Sequence, residues 1–418
     1  MLQHPKDRRS PLSRREFLRR AGAAGLALPS LAAVLAACGK ASSSGGSTSG
    51  GLQLARPDHP VTLPVQDNPP IADGLPPEAG PLKIFGYSDY IYKKVLNAFK
   101  EQYGASVEWT VFDTPEEMVA KMQSSGSDFD LIVSVTLENV GKLAFGKLIQ
   151  PLNHSYIPNL ANVWRVFQSP FYDVGARFTV PYTVYTTGIA YRNDVVTEHI
   201  DAMTNPYNAF WLTTYAGQVH LLNGARDVLA AALLRMGADV NTSNRTILND
   251  AKQSLLDGVR SMNWKFDHTD YNELGQWDIH QAWSGQVSYY QYYLPKGLPI
   301  TAFSYVWPPK DLQPAPGLIS NDVFAIPRGA AHPVLAHKMI DFLLDPTNAA
   351  TNYGYEGYQP PITSLTPKTI LKQGLVPESL ANILIEESDF GLGTQELELA
   401  PAVNQLYEQI YQEVTGGA

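Results

Sequence analysis

Residues 129–135 read FDLIVSV. A short, continuous apolar run of this kind is the pattern of a strand covered on both faces. Such a strand needs helices above and below it, and the chain supplies them. PLKIFGYS precedes it as a short apolar strand. DYIYKKVLNAFKEQYG carries apolar residues at helical spacing up to Gly104, the expected C-cap. ASVEWTVFD alternates like a strand. TPEEMVAKMQSSG opens a helix with Thr114 as N-cap and Pro115 at the first helical position. A helix follows through LENVGKLAFGKL. Farther on, GQVHLL, PITAFSYVWP and LISNDVFAIP read as strands. ARDVLAAALLRMG, TILNDAKQSLLDGVRSM, HQAWSGQVSYYQYYL, HPVLAHKMIDFLLD and PAVNQLYEQIYQEV read as helices. Alternating strands and helices predict an α/β chain with a parallel or mixed sheet flanked by helices, and the count suits two lobes better than one.

The N-terminus obeys different rules. SRREFLRRAGAAGLALPSLAAVLAAC places the twin arginines Arg14 and Arg15 before an uncharged apolar stretch that ends at Cys38, the sole cysteine of 418 residues. The stretch is short for a membrane span and has the flanks of a signal peptide. Leu35-Ala36-Ala37-Cys38 resembles a bacterial lipobox, so residues 1–37 are expected to be a twin-arginine lipoprotein signal and Cys38 to carry the lipid. GKASSSGGSTSGG (39–51) is a flexible tether. Proline-rich residues 52–81 read as an extended spacer, so 38–80 form the expected linker.

The formal net charge of −9 becomes more negative once the basic leader is removed. This argues against nucleic acid, which needs a basic face. It suits a cationic ligand. No Walker loop, dinucleotide glycine fingerprint, HExxH or GxSxG is present. No catalytic residue, no cofactor and no metal site are therefore expected. His332 and His337 flank a helix start and read as capping or surface residues. DHTD (267–270) offers metal ligands, but isolated clusters of this kind are common in loops.

Aromatic residues and carboxylates gather in YSDY (87–90), AWSG (282–285), SNDVFAIP (320–327) and GYEGYQPP (354–361). An ammonium needs a carboxylate to pair with and aromatic faces to cover its methylenes and its charge. From about residue 81 onward the chain resembles bacterial spermidine/putrescine-binding proteins of ABC transporters. The likeness runs in order through FGYSDYIYKKVLNAFKEQYGASVEW, EEMVAKM, FDLIVSV, IPNL, FTVPYTVYTTGIAYRNDVV, ARDVLAAALLRMGADVNT, AWSG, NDVFAIPRGA, AHKMIDFLLDPTNAA and GYQPP.

The resemblance implies a two-lobed type II periplasmic-binding fold with the ligand in the cleft between α/β lobes. Lobe one would span 81–187 plus 322–365, and lobe two 188–321 plus 366–418. Crossings are expected near Thr186–Ile189, Ser320–Asp322 and Pro361–Pro367. It further implies a monomer that binds a polyamine and delivers it to a permease, anchored to the membrane through its N-terminal lipid. Carried over by position, Tyr87 and Tyr90 form one aromatic wall, Trp283 faces them, Asp322 pairs with one ammonium, Tyr358 adds a contact and Asp227 meets another amine. Departures concentrate at the other end: Gly224, Val135, Leu137 and Ser320 stand where the family has polar or aromatic ligands, and Leu397 or Glu398 where it has a glutamine. Two alternatives stay open at this stage. One is a ferric-ion binder using Tyr289-Tyr290 and Tyr292-Tyr293. The other is an envelope enzyme.

Overall fold

The computed structural model describes residues 54–65, 67–125, 128–267, 274–308 and 317–416. The twin arginines, Cys38, the 39–51 tether, His268 and Asp270 lie outside the described residues. Leu54–Ala418 forms one unit built on a ten-stranded mixed sheet. β1 (Leu82–Gly86) is flanked in parallel by β2 (Val107–Val111) and β3 (Leu131–Thr136). β4 (Ile149–Gln150) attaches to the end of β10 (Leu318–Pro327), which runs antiparallel to β3. The fourteen residues of β5 (Thr179–Arg192) pair with β10 as far as Thr187. From there β5 pairs with β8 (Ile279–Trp283) and β9 (Phe303–Val306). β6 (Val219–Leu222) and β7 (Lys265–Asp267) complete the far end, in the order β8-β6-β7. One strand thus changes its partners in mid-course and ties two half-sheets together.

The reading of FDLIVSV holds. Leu131 and Val133 bury into one apolar cluster, while Ile132 and Val135 bury into another on the opposite face. Helix α1 (Lys93–Tyr103) covers the first face with Val95 and Phe99. Helices α2 (Pro115–Ser125) and α3 (Leu137–Phe145) cover the second with Met118, Met122, Val140 and Leu143. Each fully buried side chain of this size stabilises the fold by about 1.5–3 kcal/mol. Gly104 adopts φ 72° and returns its N–H to Lys100 O, the glycine C-cap read from the sequence. Glu117 N–H donates to Thr114 Oγ1, as an N-cap requires. Across β6 and β8, helices α4 (Ala225–Arg235) and α5 (Arg245–Met262) build a separate apolar layer.

Three sequence expectations give way. HQAWSGQVSYYQYYL begins as strand β8 and turns helical only at α6 (Ser284–Tyr289), because pairing with β5 overrides local periodicity. FTVPYTVYTTGIAYR, quoted for its family likeness alone, is the long strand β5. The 52–81 spacer is not free: Val61 and Leu63 are buried beside Phe178, Val61 N–H donates to Phe171 O, and Glu78 accepts from Val334 and Leu335 N–H. The alternating VTLPV had carried that signal. His332 occupies the N-cap position of α7 (Pro333–Leu343), but its side chain makes no cap hydrogen bond and its ring meets Asp130 Oδ2 instead; His337 is fully buried, its Nε2 accepting the Asn153 N–H at 3.0 Å and its Nδ1 donating to Pro333 O at 2.6 Å. Burial pushes its pKa down to about 4. α7 is followed by α8 (Pro346–Glu356), α9 (Pro367–Lys372), α10 (Glu387–Phe390) and α11 (Pro401–Thr415). No helix among the described residues is long and apolar enough to cross a membrane.

Candidate functional site

The strand pairing is broken around one residue. β10 shifts register against β5 between Asp322 and Val323, and against β3 between Val323 and Phe324. Opposite the second shift, buried Ser134 is forced to φ 75°, a strained conformation for a residue with a Cβ. Such irregularities re-aim side chains. Here they flank Asp322, only 3 % exposed, which Tyr90 and Tyr185 both address. Tyr90 Oη donates to Asp322 Oδ2 at 2.7 Å, and Tyr185 Oη lies 3.4 Å from Oδ1. Burial pushes the Asp322 carboxyl up to about 7, against the hydrogen bond from Tyr90 that holds it down.

Tyrosines surround this carboxyl. Tyr90 packs edge-on against Tyr87 at 5.9 Å between ring centroids and against Tyr358 at 5.5 Å, and Tyr358 meets Tyr185 at 5.6 Å. The phenols of Tyr87, Tyr90 and Tyr185 are all pushed well above their ordinary pKa, first by burial and next by the charge of Asp322. The loop carrying Tyr90 is pinned from behind: Tyr182 Oη donates to Tyr90 O, and Asn352 bonds both Tyr182 Oη and Tyr92 N–H. Two glycines admit the ring of Tyr358. Gly357 takes φ 78° at the end of α8, and a Cβ on Gly285 would meet the Tyr358 ring at 2.4 Å. The glycine of AWSG is therefore a packing requirement of the aromatic wall. Glu356 is buried just behind, accepting Tyr358 N–H at 3.2 Å, and burial holds its carboxyl well above the usual range.

A second group of acids stands at the other side of the sheet break. Half-buried Asp227 sits in the first turn of α4, where its Oδ2 fills the space a Gly224 Cβ would occupy, at 2.5 Å. The lack of a side chain at Gly224 thus makes room for Asp227. Burial, then the nearby Glu396, raises the Asp227 pKa well above the ordinary range. Residues 394–398 thread between β10 and α4: Ile319 N–H donates to Thr394 O, and Arg226 Nη1 to Leu397 O. This brings Glu396 within 3.8 Å of Arg226 Nε. Glu398, 5 % exposed, has an Oε1 with no hydrogen-bond partner, and burial pushes its pKa up to about 7. Glu138, in the first turn of α3, lies close enough to raise the pKa of Asp322, Asp227, Glu396 and Glu398 together.

Of the residues read from the sequence, Tyr87, Tyr90, Tyr358 and Asp322 come together directly. Among the described residues no hydrogen bond joins Asp227 to them, and its charge is only a minor influence on Tyr87. Trp283 ends β8 opposite Thr187, half-buried, and its ring touches no other ring among the described residues. Tyr185, Glu138, Glu356 and Glu396 escaped sequence reasoning. Tyr185 had a signal, since it lies two residues beyond Thr183 and so on the same strand face, and Thr183 Oγ1 contacts Tyr90 Oη at 3.2 Å. The acids had none. Of the paired tyrosines, Tyr289 packs against Tyr292 at 5.5 Å and Tyr293 at 5.3 Å between ring centroids, but Tyr290 is turned away, buried against Trp277 and Phe303, and Tyr292 donates to Gly354 O.

A buried carboxylate under aromatic faces, with further acids beyond, is suited to hold an organic cation. Comparison with known proteins agrees with the fold. The chain is 25 % identical over 337 residues to spermidine/putrescine-binding periplasmic protein 1 of Haemophilus influenzae, covering 79 % of this chain and 88 % of that one. A chain assigned to a spermidine/putrescine ABC transporter of Listeria monocytogenes superposes with a TM-score of 0.68 at 23 % identity, over 80 % of this chain and 98 % of the other. The TpPotD lipoprotein of Treponema pallidum gives 0.65 at 22 %, with the same coverage. Residues 94–375 match the model of one family, and the chain belongs to it: the bacterial extracellular solute-binding proteins.

Proposed function

We propose that this protein is the substrate-binding component of an ABC importer, and that it binds spermidine, putrescine or a related small organic cation. The observation that carries the reading is Asp322, an acid buried within the tyrosine set and held near neutrality until a cation pairs with it. The Haemophilus relative is named for the same ligands. Tyr87, Tyr90, Tyr358 and Asp322 hold one ammonium and its methylenes. Trp283 closes from the facing wall, and Asp227 takes the second amine. The protein acts by binding and carries out no catalysis. Lobe one (81–187 plus 322–365) and lobe two (188–321 plus 366–418) close on the ligand about β5 and β10, a reading supported by the change of partners at Thr187. Export through the twin-arginine signal and lipidation at Cys38 keep the protein at the cell membrane, facing the periplasm or the outside, as a monomer beside its permease.

The test is calorimetry on the purified protein with putrescine, spermidine, a neutral amino acid, a sugar and ferric citrate. Saturable binding of an amine alone is expected. Binding of iron with a coloured complex, or of none of these, would overturn the reading. Scattering with saturating amine should show compaction.

A further inference from the structure

The far end of the sheet holds a second constellation, unconnected with the amine site. β6 and β8 pair His220 with His280, and β6 and β7 pair Leu222 with Asp267. Residues 220 and 222 share a strand face, so His220, His280 and Asp267 stand on the same one. The opposite face carries Val219, Leu221 and Ile279 into the apolar layer under α4 and α5. Both imidazoles are 1 % exposed. His220 Nδ1 lies 2.6 Å from Asp267 Oδ2, and His280 Nε2 lies 3.1 Å from Asp267 Oδ1. One ligand atom from each residue falls within 4.8 Å of the others.

We propose that these three residues bind a zinc ion. Of the three, only Asp267 lies in a stretch that offers metal ligands locally, DHTD; the histidines come from positions 220 and 280. Two imidazole nitrogens and one carboxylate oxygen form the donor set of Zn²⁺ with a fourth, open position for water. Mg²⁺ and Ca²⁺ prefer oxygen throughout. At Zn–ligand bonds of about 2.0–2.1 Å, neighbouring ligand atoms stand roughly 3.3 Å apart. The His280–Asp267 separation of 3.1 Å is close to this, and the His220–Asp267 separation of 2.6 Å must open by about 0.7 Å to admit the ion. The outer nitrogens, His220 Nε2 and His280 Nδ1, have no hydrogen-bond partner. Asp267 holds both rings, and His280 also interacts with the Gln281 backbone; an inner nitrogen is released to the ion when its ring carries the proton on the outer nitrogen instead. The Asp267 side chain, 23 % exposed at the end of the edge strand, provides the way in. The ion clamps β7, only three residues long, to the sheet.

The experiment takes the full-length protein, strips it with chelator, and titrates it with ZnSO₄ alone. One zinc per chain by mass spectrometry, a rise in melting temperature of several degrees, and the visible absorption of a tetrahedral site with Co²⁺ are expected. His280→Gln should weaken zinc by about 100-fold or more. Asp267→Asn, on a partly exposed edge, should weaken it about tenfold or more without threatening the fold. Asp322→Asn should bind zinc like the wild type. Absence of stoichiometric zinc from the folded wild-type protein would overturn the proposal, as would undiminished binding by His280→Gln and Asp267→Asn.

Discussion

The two ends of the candidate amine site are built on opposite plans. Around Asp322 the partners are already made: Tyr90 holds one carboxylate oxygen, Tyr185 approaches the other, and Asn352 fixes the backbone behind them. Around Asp227 the acids outnumber their partners. Glu396 has one distant arginine, and Glu398 Oε1 has no hydrogen bond. A preorganised end loses little freedom when a cation arrives and should give most of the affinity and the orientation. An end of underpaired acids should act through long-range field and tolerate ligands of different length. The departures expected from the resemblance do not follow this division: Ser320 is two residues from Asp322 on β10, Val135 lies opposite Val323, and only Gly224 stands at the Asp227 end.

The sharpest way to break the comparison is Asp322→Asn, which keeps the shape and removes the charge. Amine affinity should fall by about 2–5 kcal/mol, because the ammonium is left buried without a counter-ion. Calorimetry on the same variant at Asp227 should show a clearly smaller loss, about 1 kcal/mol, since burial, and then the nearby Glu396, already favour the protonated form there. Equal losses would erase the distinction between the ends.

Changing the pH sharpens it further. The folded carboxyl of Asp322 titrates near 7, while an unfolded aspartate titrates near 3.9. Between those values the folded state binds the extra proton, so this group stabilises the fold at low pH and the contribution is lost as pH rises toward 7. Ligand affinity runs the other way, because the cation needs the ionised carboxylate. From pH 8 to pH 5 affinity should drop by about 100-fold. Asp322→Asn should flatten that profile. A profile unaltered by the substitution would assign the titration to another acid, Glu398 first.

Trp283→Ala should cost about 1 kcal/mol of affinity, the scale of one cation–π face. The smallest effect belongs to Asp89, which is exposed beside the tyrosines: Asp89→Asn should change affinity by less than about 0.5 kcal/mol. A large effect there would move the ammonium from Asp322 toward the rim.

Much of this protein was legible as sequence because the governing forces are local. Strand burial on both faces needs an uninterrupted run, and FDLIVSV has one. Helix ends need particular caps, and Thr114, Pro115 and Gly104 supply them. The order of family segments located Tyr87, Tyr90, Asp322 and Tyr358, which the fold then brings together. What the sequence could not decide depends on contacts between distant segments. Strand β8 forms because β5 lies beside it. The pairing shifts at Asp322 arise from three strands at once, and the electrostatic setting of Glu138, Asp227 and Glu396 depends on how α3, α4 and the 394–398 segment meet. His220, Asp267 and His280 become neighbours only through the pairing of β6, β7 and β8. Periodicity and capping act within one turn or one strand. Electrostatics and register act between elements, so they exist only once the chain has folded.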